Sequence, residues 1–307
     1  MGTLRITQRL IVDRILNDLT LQGRKLLDLQ DQLATGQRVN KPSDDPLAAR
    51  RAVSAITEIA ANEQYVTNIS TIGPYLVETE TAVMTSLNLV QRARELTLQG
   101  ASNTNSQEQR DALAEEINEV LEQVVVEANH LTGDRYVFAG SRTKTAPFVT
   151  SRNPDGDITA VSYAGNSEEI EIEISEGVRV AANTPGDEVF LDVSAQSTDI
   201  FETLIDIRDN LKAGNVGALT TRLEELNLAE NQLQVATARL GAVTNRIDRV
   251  QLELETYNVQ LESVRSDNID ADFAEVIVNL NTQSNTFQAA LNAGARVLQP
   301  SLLDFLG

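Results

Sequence analysis

The chain has 307 residues, a formal net charge of -20, no cysteine, no tryptophan and only 4% aromatics. Leu, Ile, Val and Ala must therefore pack its core, a composition of long helices rather than of a compact enzyme. An acidic balance without a Lys/Arg cluster excludes a nucleic-acid groove and disfavours an anionic membrane surface, and the missing cysteines exclude disulfides and thiolate metal sites.

The first segment, MGTLRITQRLIVDRILNDL, has no signal-peptide core, because Asp13, Arg14 and Asp18 interrupt any apolar run. Val12, Ile15, Leu19, Gln22, Leu26, Leu29 and Leu33 alternate spacings of three and four. That is an a/d seam with one polar position. Gly36 can supply the left-handed residue that ends this helix, and Lys41-Pro42 enforces extended backbone. Asp45 is a good N-cap, and Pro46 suits the first helical position. A second helix is expected from Pro46 to about Ile72, closed by Gly73-Pro74, and a third from Tyr75 to about Gln99. Ser106 is a candidate cap for the next helix. That helix carries Leu113, Ile117, Val120, Val124 and Leu131 and ends near Gly133.

The texture changes at Asp134. RYVFAG, APFVTSR, ITAVSYAG, EEIEIEIS, VRVAAN and EVFLDVS are short β-type runs divided by Gly, Pro, Asn and Asp. They predict one modest sheet or a barrel-like domain. The excursion is expected to point away from the axis of the rod, so deletion around Ser151 to Val161 should be tolerated for assembly.

Helix returns at about Asp199, with Ile200, Leu204, Ile207 and Leu211 on one stripe. Leu219, Leu226, Leu233, Leu240, Ile247, Leu254 and Leu261 then follow at intervals of seven, with Ala229, Ala236, Val243, Val250, Tyr257 and Val264 between them. This helix should be about 70 Å long. Gly241 inside it costs roughly 1 kcal/mol against Ala. The polar run Arg265 to Asp270 interrupts the pattern. A final helix repeats it with Phe273, Ile277, Leu280, Ser284, Phe287, Leu291, Gly294 and Leu298, until Pro300. From Val276 to Ala295 this helix has no charged residue, yet its Asn, Gln, Ser and Thr make it too polar for hydrocarbon. An uncharged polar face can pack against neighbouring copies without desolvating ions.

The predicted architecture is mainly α with a β insert, a rod of long coiled-coil helices formed by both chain ends with a small β domain at the far end. Residues 1–40 and 268–307 form the terminal coiled-coil region, weakly ordered in a monomer. Residues 41–133 and 199–267 form a helical shaft, and 134–198 the β domain. The intrachain shaft seam is Leu226, Leu233, Leu240, Ile247, Leu254 and Leu261. The candidate assembly interface is Val12, Ile15, Leu19, Leu26, Leu29, Leu33, Phe273, Ile277, Leu280, Phe287, Leu291 and Leu298.

Chemistry-bearing residues are few. His130 is the only histidine and has no partner motif. Asp44-Asp45 reads as a helix cap. Glu169, Glu171 and Glu173 alternate with Ile170, Ile172 and Ile174, so they are the solvated face of a strand. No P-loop, GxGxxG after a strand or HExxH is present. No enzyme activity, cofactor or metal is expected.

LATGQRVNKPSDDPLAARRA (Leu33 to Ala52) resembles the N-terminal signature of bacterial flagellar axial proteins. VQRARELTLQGASNTNSQEQRDALAEEINEVLEQV resembles the flagellin-type helix–turn–helix. GDRYVFAGSRTKTAPF, YAGNSEEIEIEISEGVRVAANTPGDEVF and the ending ALNAGARVLQPSLLDFLG resemble the hook–filament junction branch of that family. The resemblance implies terminal helices in an inner coiled-coil layer of a helical or ring assembly of self-copies. It implies an extracellular place in the flagellum after export without a cleavable signal peptide. The implied partners are the first hook-associated protein, flagellin and an export chaperone, the last covering Phe287, Leu291, Leu298, Leu302 and Leu303. A small filament flagellin is the alternative, and a coiled-coil ligand-binding or signalling module the distant one.

Overall fold

Four helices begin where a side chain can accept their first free backbone N–H groups. The computed structural model describes residues 3–191 and 197–298. In chain order its helices are α1 (Thr3–Thr35), α2 (Pro46–Gly100), α3 (Gln107–Ala128), α4 (Gly186–Phe190), α5 (Ile200–Lys212), α6 (Val216–Ile269) and α7 (Phe273–Leu298). Asp45 Oδ1 accepts from Ala48 N at 3.0 Å at the start of α2. Ser106 and Gln109 form a reciprocal capping box on α3. Asp199 Oδ1 accepts from Glu202 N on α5, and Asp272 Oδ1 from Ala274 N on α7.

The break expected at Gly73-Pro74 does not occur: α2 runs through Pro74. Proline removes one backbone hydrogen bond and normally kinks a helix. Here the apolar face continues across it, with Ile69, Ile72, Leu76, Thr79, Val83, Ser86, Val90, Ala93 and Thr97 all buried. The hydroxyls of Thr79, Ser86 and Thr97 each return to the carbonyl four residues earlier, so their burial leaves no orphan. Packing on both sides of Pro74 outweighs the single lost bond.

The chain divides into two compact units, residues 1–61 with 256–307 and residues 62–255. The second unit holds the main buried apolar cluster, whose described members lie between Ile69 and Leu254. Leu219, Leu226, Leu233, Leu240, Ile247 and Leu254 of α6 are all buried in it. Ala229 is buried beside them, and Ala236, Val243 and Val250 are half-buried. α5 packs on α3. Arg208 of α5 is buried, with its guanidinium bound to Asn118 Oδ1 (3.0 Å), the Ile158 carbonyl (2.8 Å) and Asp209 (2.8 Å).

The strands of this unit are β1 (Leu131–Thr132), β2 (Arg135–Tyr136), β3 (Phe148–Arg152), β4 (Ile158–Tyr163), β5 (Glu171–Ser175) and β6 (Val178–Ala181). They form three separate antiparallel pairs, β1-β2, β3-β4 and β5-β6, not the single sheet or barrel expected. Side chains fasten them instead of ladder bonds. Asn129 holds the backbone N–H and C=O of Phe148, both at 2.9 Å. Buried Asn183 holds Ile170 N and Glu168 O. Four of the seven phenylalanines, Phe138, Phe148, Phe190 and Phe201, meet with ring centroids 5.1–5.7 Å apart. That cluster replaces a sheet interior as the organising apolar centre.

Two further expectations change here. EVFLDVS reads as a strand, but its Glu188–Phe190 portion lies in α4, where Phe190 turns into the aromatic cluster; residues 192–196 lie outside the described residues. The segment Ser151 to Val161, which is the β3-β4 turn with the strand ends on either side, is no free excursion. Ile158 is fully buried and its carbonyl accepts from Arg208, so deleting it would break the α5 anchorage.

The first unit is built differently. Its buried residues from α2 are Ala48, Ala52 and Ala55, with Val39, Leu261 and Val276 from the neighbouring segments. Small side chains release little apolar area, at about 25 cal/mol per Å². Tyr257 and Val264, the later members of the α6 pattern, are exposed, and Tyr257 Oη donates to Glu58.

Candidate assembly surface

The loop between α1 and α2 is a clamp on the loop between α6 and α7. Gly36, at φ 71°, ends α1 as the sequence requires. Gln37 then pairs with Asp270 in an antiparallel bridge, and Ala271 N donates to Gly36 O at 2.9 Å. Arg38 N donates to Ile269 O at 2.7 Å, and its guanidinium donates to Asn268 O at 2.8 Å. Arg38 thus satisfies carbonyls left free at the C-terminus of α6 and places its charge at the negative end of the helix dipole.

Both carboxylates of the Asp44-Asp45 pair have structural partners. Asp44 Oδ2 accepts from Asn40 N and Lys41 N and closes the turn. The Ala48 N–H chiefly holds the Asp45 carboxyl below its usual value. Arg265 does the same for Glu262 and also reaches Asp270 at 3.3 Å. Sequence reading missed Arg38, since a lone arginine in a loop carries no periodicity and its targets lie over 200 residues away in the chain.

α1 packs antiparallel against α7. Val12, Ile15, Leu19, Gln22, Leu26, Leu29 and Leu33 are all half-buried along one face of α1. On α7 the inward face is Val276, Leu280, Gln283, Ser284, Phe287, Ala290 and Gly294. Leu280 and Phe287 therefore lie in the seam. Ile277 and Leu291 lie outside it, 46% and 45% exposed, and Phe273 is 53% exposed although its ring edge covers Gly36. Leu16, Leu21 and Leu27 of α1 and Val278 of α7 are also exposed. The side chain of Leu298, and Leu302 and Leu303 entirely, lie outside the described residues. Of the other residues singled out for the chaperone, Phe287 is half-buried and Leu291 exposed.

Among the shaft-seam residues, Leu226, Leu233, Leu240, Ile247 and Leu254 are core members of the second unit, and Leu261 is buried in the first. His130 follows α3, and its Nε2 is 3.1 Å from Glu78 Oε2. Ile172 and Ile174 turn inward on β5 while Glu169 and Glu171 stay exposed; Glu173 is half-buried and its Oε1 accepts from Gly177 N. Among the described residues no group of three or more His, Asp or Glu could hold a metal ion, and no helix is long and apolar enough to cross a membrane.

Residues 11–143 match the model of the bacterial flagellin N-terminal helical region, and residues 223–306 that of the bacterial flagellin C-terminal helical region. The flagellar hook-associated protein 3 of Escherichia coli is 26% identical over 94% of this chain and 96% of its own. That of Salmonella typhimurium is 25% identical over 94% and 95%. A flagellin of Halalkalibacterium halodurans is 22% identical over 89% and 86%. Among solved structures, the flagellar junction protein FlgL of Legionella pneumophila superposes with a TM-score of 0.61 at 17% identity, covering 72% of this chain and all of that one. FlgL of Bacillus cereus does so with a TM-score of 0.57 at 24% identity, covering 69% and 99%.

Proposed function

Because the chain belongs to the bacterial flagellin family, and within it to the branch of flagellar hook-associated protein 3, we infer that it is a structural subunit of the flagellum that adapts hook-side proteins to the flagellin filament. The observation that carries the mode of action is the outer face of the α1·α7 pair. Leu16, Leu21, Leu27, Ile277, Val278 and Leu291 stand exposed on two helices whose joint seam is already filled. Large apolar side chains left exposed on paired helices are candidates for burial by a partner. The uncharged stretch from Val276 to Ala295 removes the ion-desolvation penalty that would oppose burial between copies.

In this reading the first unit becomes fully ordered on assembly, where neighbouring copies cover that face. The first hook-associated protein adjoins the subunit on one side and flagellin on the other. The subunit is extracellular, and an export chaperone covers the apolar end of α7 beforehand. The second unit, with its own core, folds independently of that step.

The test is motility and flagellar incorporation of Ile277→Asp and Leu291→Asp chains in cells lacking the parent chain. Both side chains are exposed in the single chain, so unfolding midpoints should match the parent while incorporation is lost. Normal incorporation would sink the interface. Long filaments grown from purified subunits in precipitant would favour a filament flagellin over an adaptor.

A further inference from the structure

Coiled-coil seams of uniform Leu and Ile tolerate slippage by whole heptads, because each register buries similar side chains. The α1·α7 seam is not uniform. Gln22 and Gln283 face each other within it: Gln283 Nε2 donates to Gln22 Oε1 and, at 3.2 Å, to the Gln22 backbone carbonyl. Both are half-buried. Three glycines lie along the same pair, each beneath a large side chain of the other element. A Cβ on Gly23 would sit 3.7 Å from the Phe287 ring. One on Gly36 would sit 3.4 Å from the Phe273 ring, and one on Gly294 would sit 3.2 Å from Ile15 Cγ2.

We propose that the Gln22–Gln283 pair and the close approach of Ile15 to Gly294 form a register lock that allows the two terminal helices only one antiparallel alignment. The three glycine contacts agree on one offset to within a residue, which also sets Leu29 across from Leu280, and the glutamine pair lies about one helical turn from it along the seam. A slip of one heptad in either direction replaces Gln22 opposite Gln283 by Ile15 or Leu29, and moves Ile15 off Gly294. The first change leaves a half-buried amide without its partner, and the second takes Ile15 off the glycine that admits it. Each disfavours the slipped state, the unpaired amide by about tenfold in population. Glycine inside a helix is otherwise unfavourable, and Gly294 is accounted for by the Ile15 side chain it admits. One register gives one outer face, so Leu16 and Leu27 always accompany the same residues of α7. The lock concerns pairing within one chain and stands apart from what the outer face then joins.

The full chain has no cysteine, so paired cysteines read the register directly. Leu29→Cys with Leu280→Cys reports the native alignment. Leu26→Cys with Ala290→Cys and Leu26→Cys with Val276→Cys report the two slipped ones. Under mild oxidation the native pair should form disulfide at least about tenfold faster than either slipped pair. Adding Gln22→Leu and Gln283→Leu keeps the seam apolar and should narrow the native pair's advantage, leaving the part held by the Gln37–Asp270 bridge. Gly294→Leu should suppress the native pair, and Ile15→Ala added to it should restore it. Equal rates for all three pairs in the parent background would overturn the lock. So would an unchanged preference after both Gln→Leu substitutions, or a Gly294→Leu defect that Ile15→Ala does not relieve.

Discussion

Leu233 sits at the centre of the α6 seam with no exposed surface, and Val235, two residues along the same helix, is 69% exposed. Truncating Leu233 to Ala removes apolar volume from a close-packed site flanked by Leu226 and Leu240, which cannot collapse around the gap because all three are held by one helix. Buried Leu→Ala changes cost about 2–5 kcal/mol, and a fully enclosed seam position should fall near 3. Val235→Ala should move stability by no more than about 0.5 kcal/mol. Four of the five tyrosines, Tyr65, Tyr75, Tyr136 and Tyr163, lie in the second unit. Tyrosine fluorescence during guanidinium titration therefore follows that unit, and the shift in midpoint at constant slope gives the free-energy change. Leu226 and Leu240 are two heptads apart, about 21 Å along the helix. Their Ala substitutions should add to within about 0.5 kcal/mol. A Leu233→Ala loss below about 1 kcal/mol, or one equal to that of Val235→Ala, would refute the claim that this seam forms the core.

Pro74→Ala restores a backbone donor in the middle of α2 and should stabilise the second unit by about 1–3 kcal/mol, read from the same titration. Arg208→Ala leaves the Asn118 oxygen and the Ile158 carbonyl without their buried donor. It should destabilise by about 1–3 kcal/mol, which calorimetry would register as a lowered transition. On acidification the signs differ by residue. Asp157 is held below its usual value chiefly by the Lys212 hydrogen bond, so its contribution is present above the unfolded carboxylate range and lost as pH falls through its lowered folded value. Asp199 is raised by burial, so its ionised form opposes folding and protonation relieves it. Asp157→Asn should therefore flatten the fall in midpoint between about pH 5 and pH 3, and Asp199→Asn should steepen it.

The sequence by itself determined the elements whose cause is local. Gly36, Asp45-Pro46, Ser106 and Asp199 act on backbone within a few residues of themselves, so the helix boundaries they set are readable without a fold. The heptad run from Leu219 to Leu261 is equally self-contained, because period alone puts those residues on one face. What only the tertiary structure decided depends on partners distant in the chain. Pro74 looked like a helix end until the packing of Ile69, Ile72 and Leu76 held the helix through it. The β-type runs looked like one sheet, because alternation reports which face is buried and not which strand is the neighbour. Asn129, Asn183 and Arg208 bind the pairs separately, through contacts of no fixed sequence spacing. On α7 the apolar residues Phe273, Ile277 and Leu291 fit a heptad pattern as well as the true inward face does. The choice fell to Gly294, which the pattern includes, and to Gln283, an amide that hydrophobic periodicity gives no weight. They matter because Ile15 and Gln22 wait opposite them, on a helix more than 200 residues earlier in the chain.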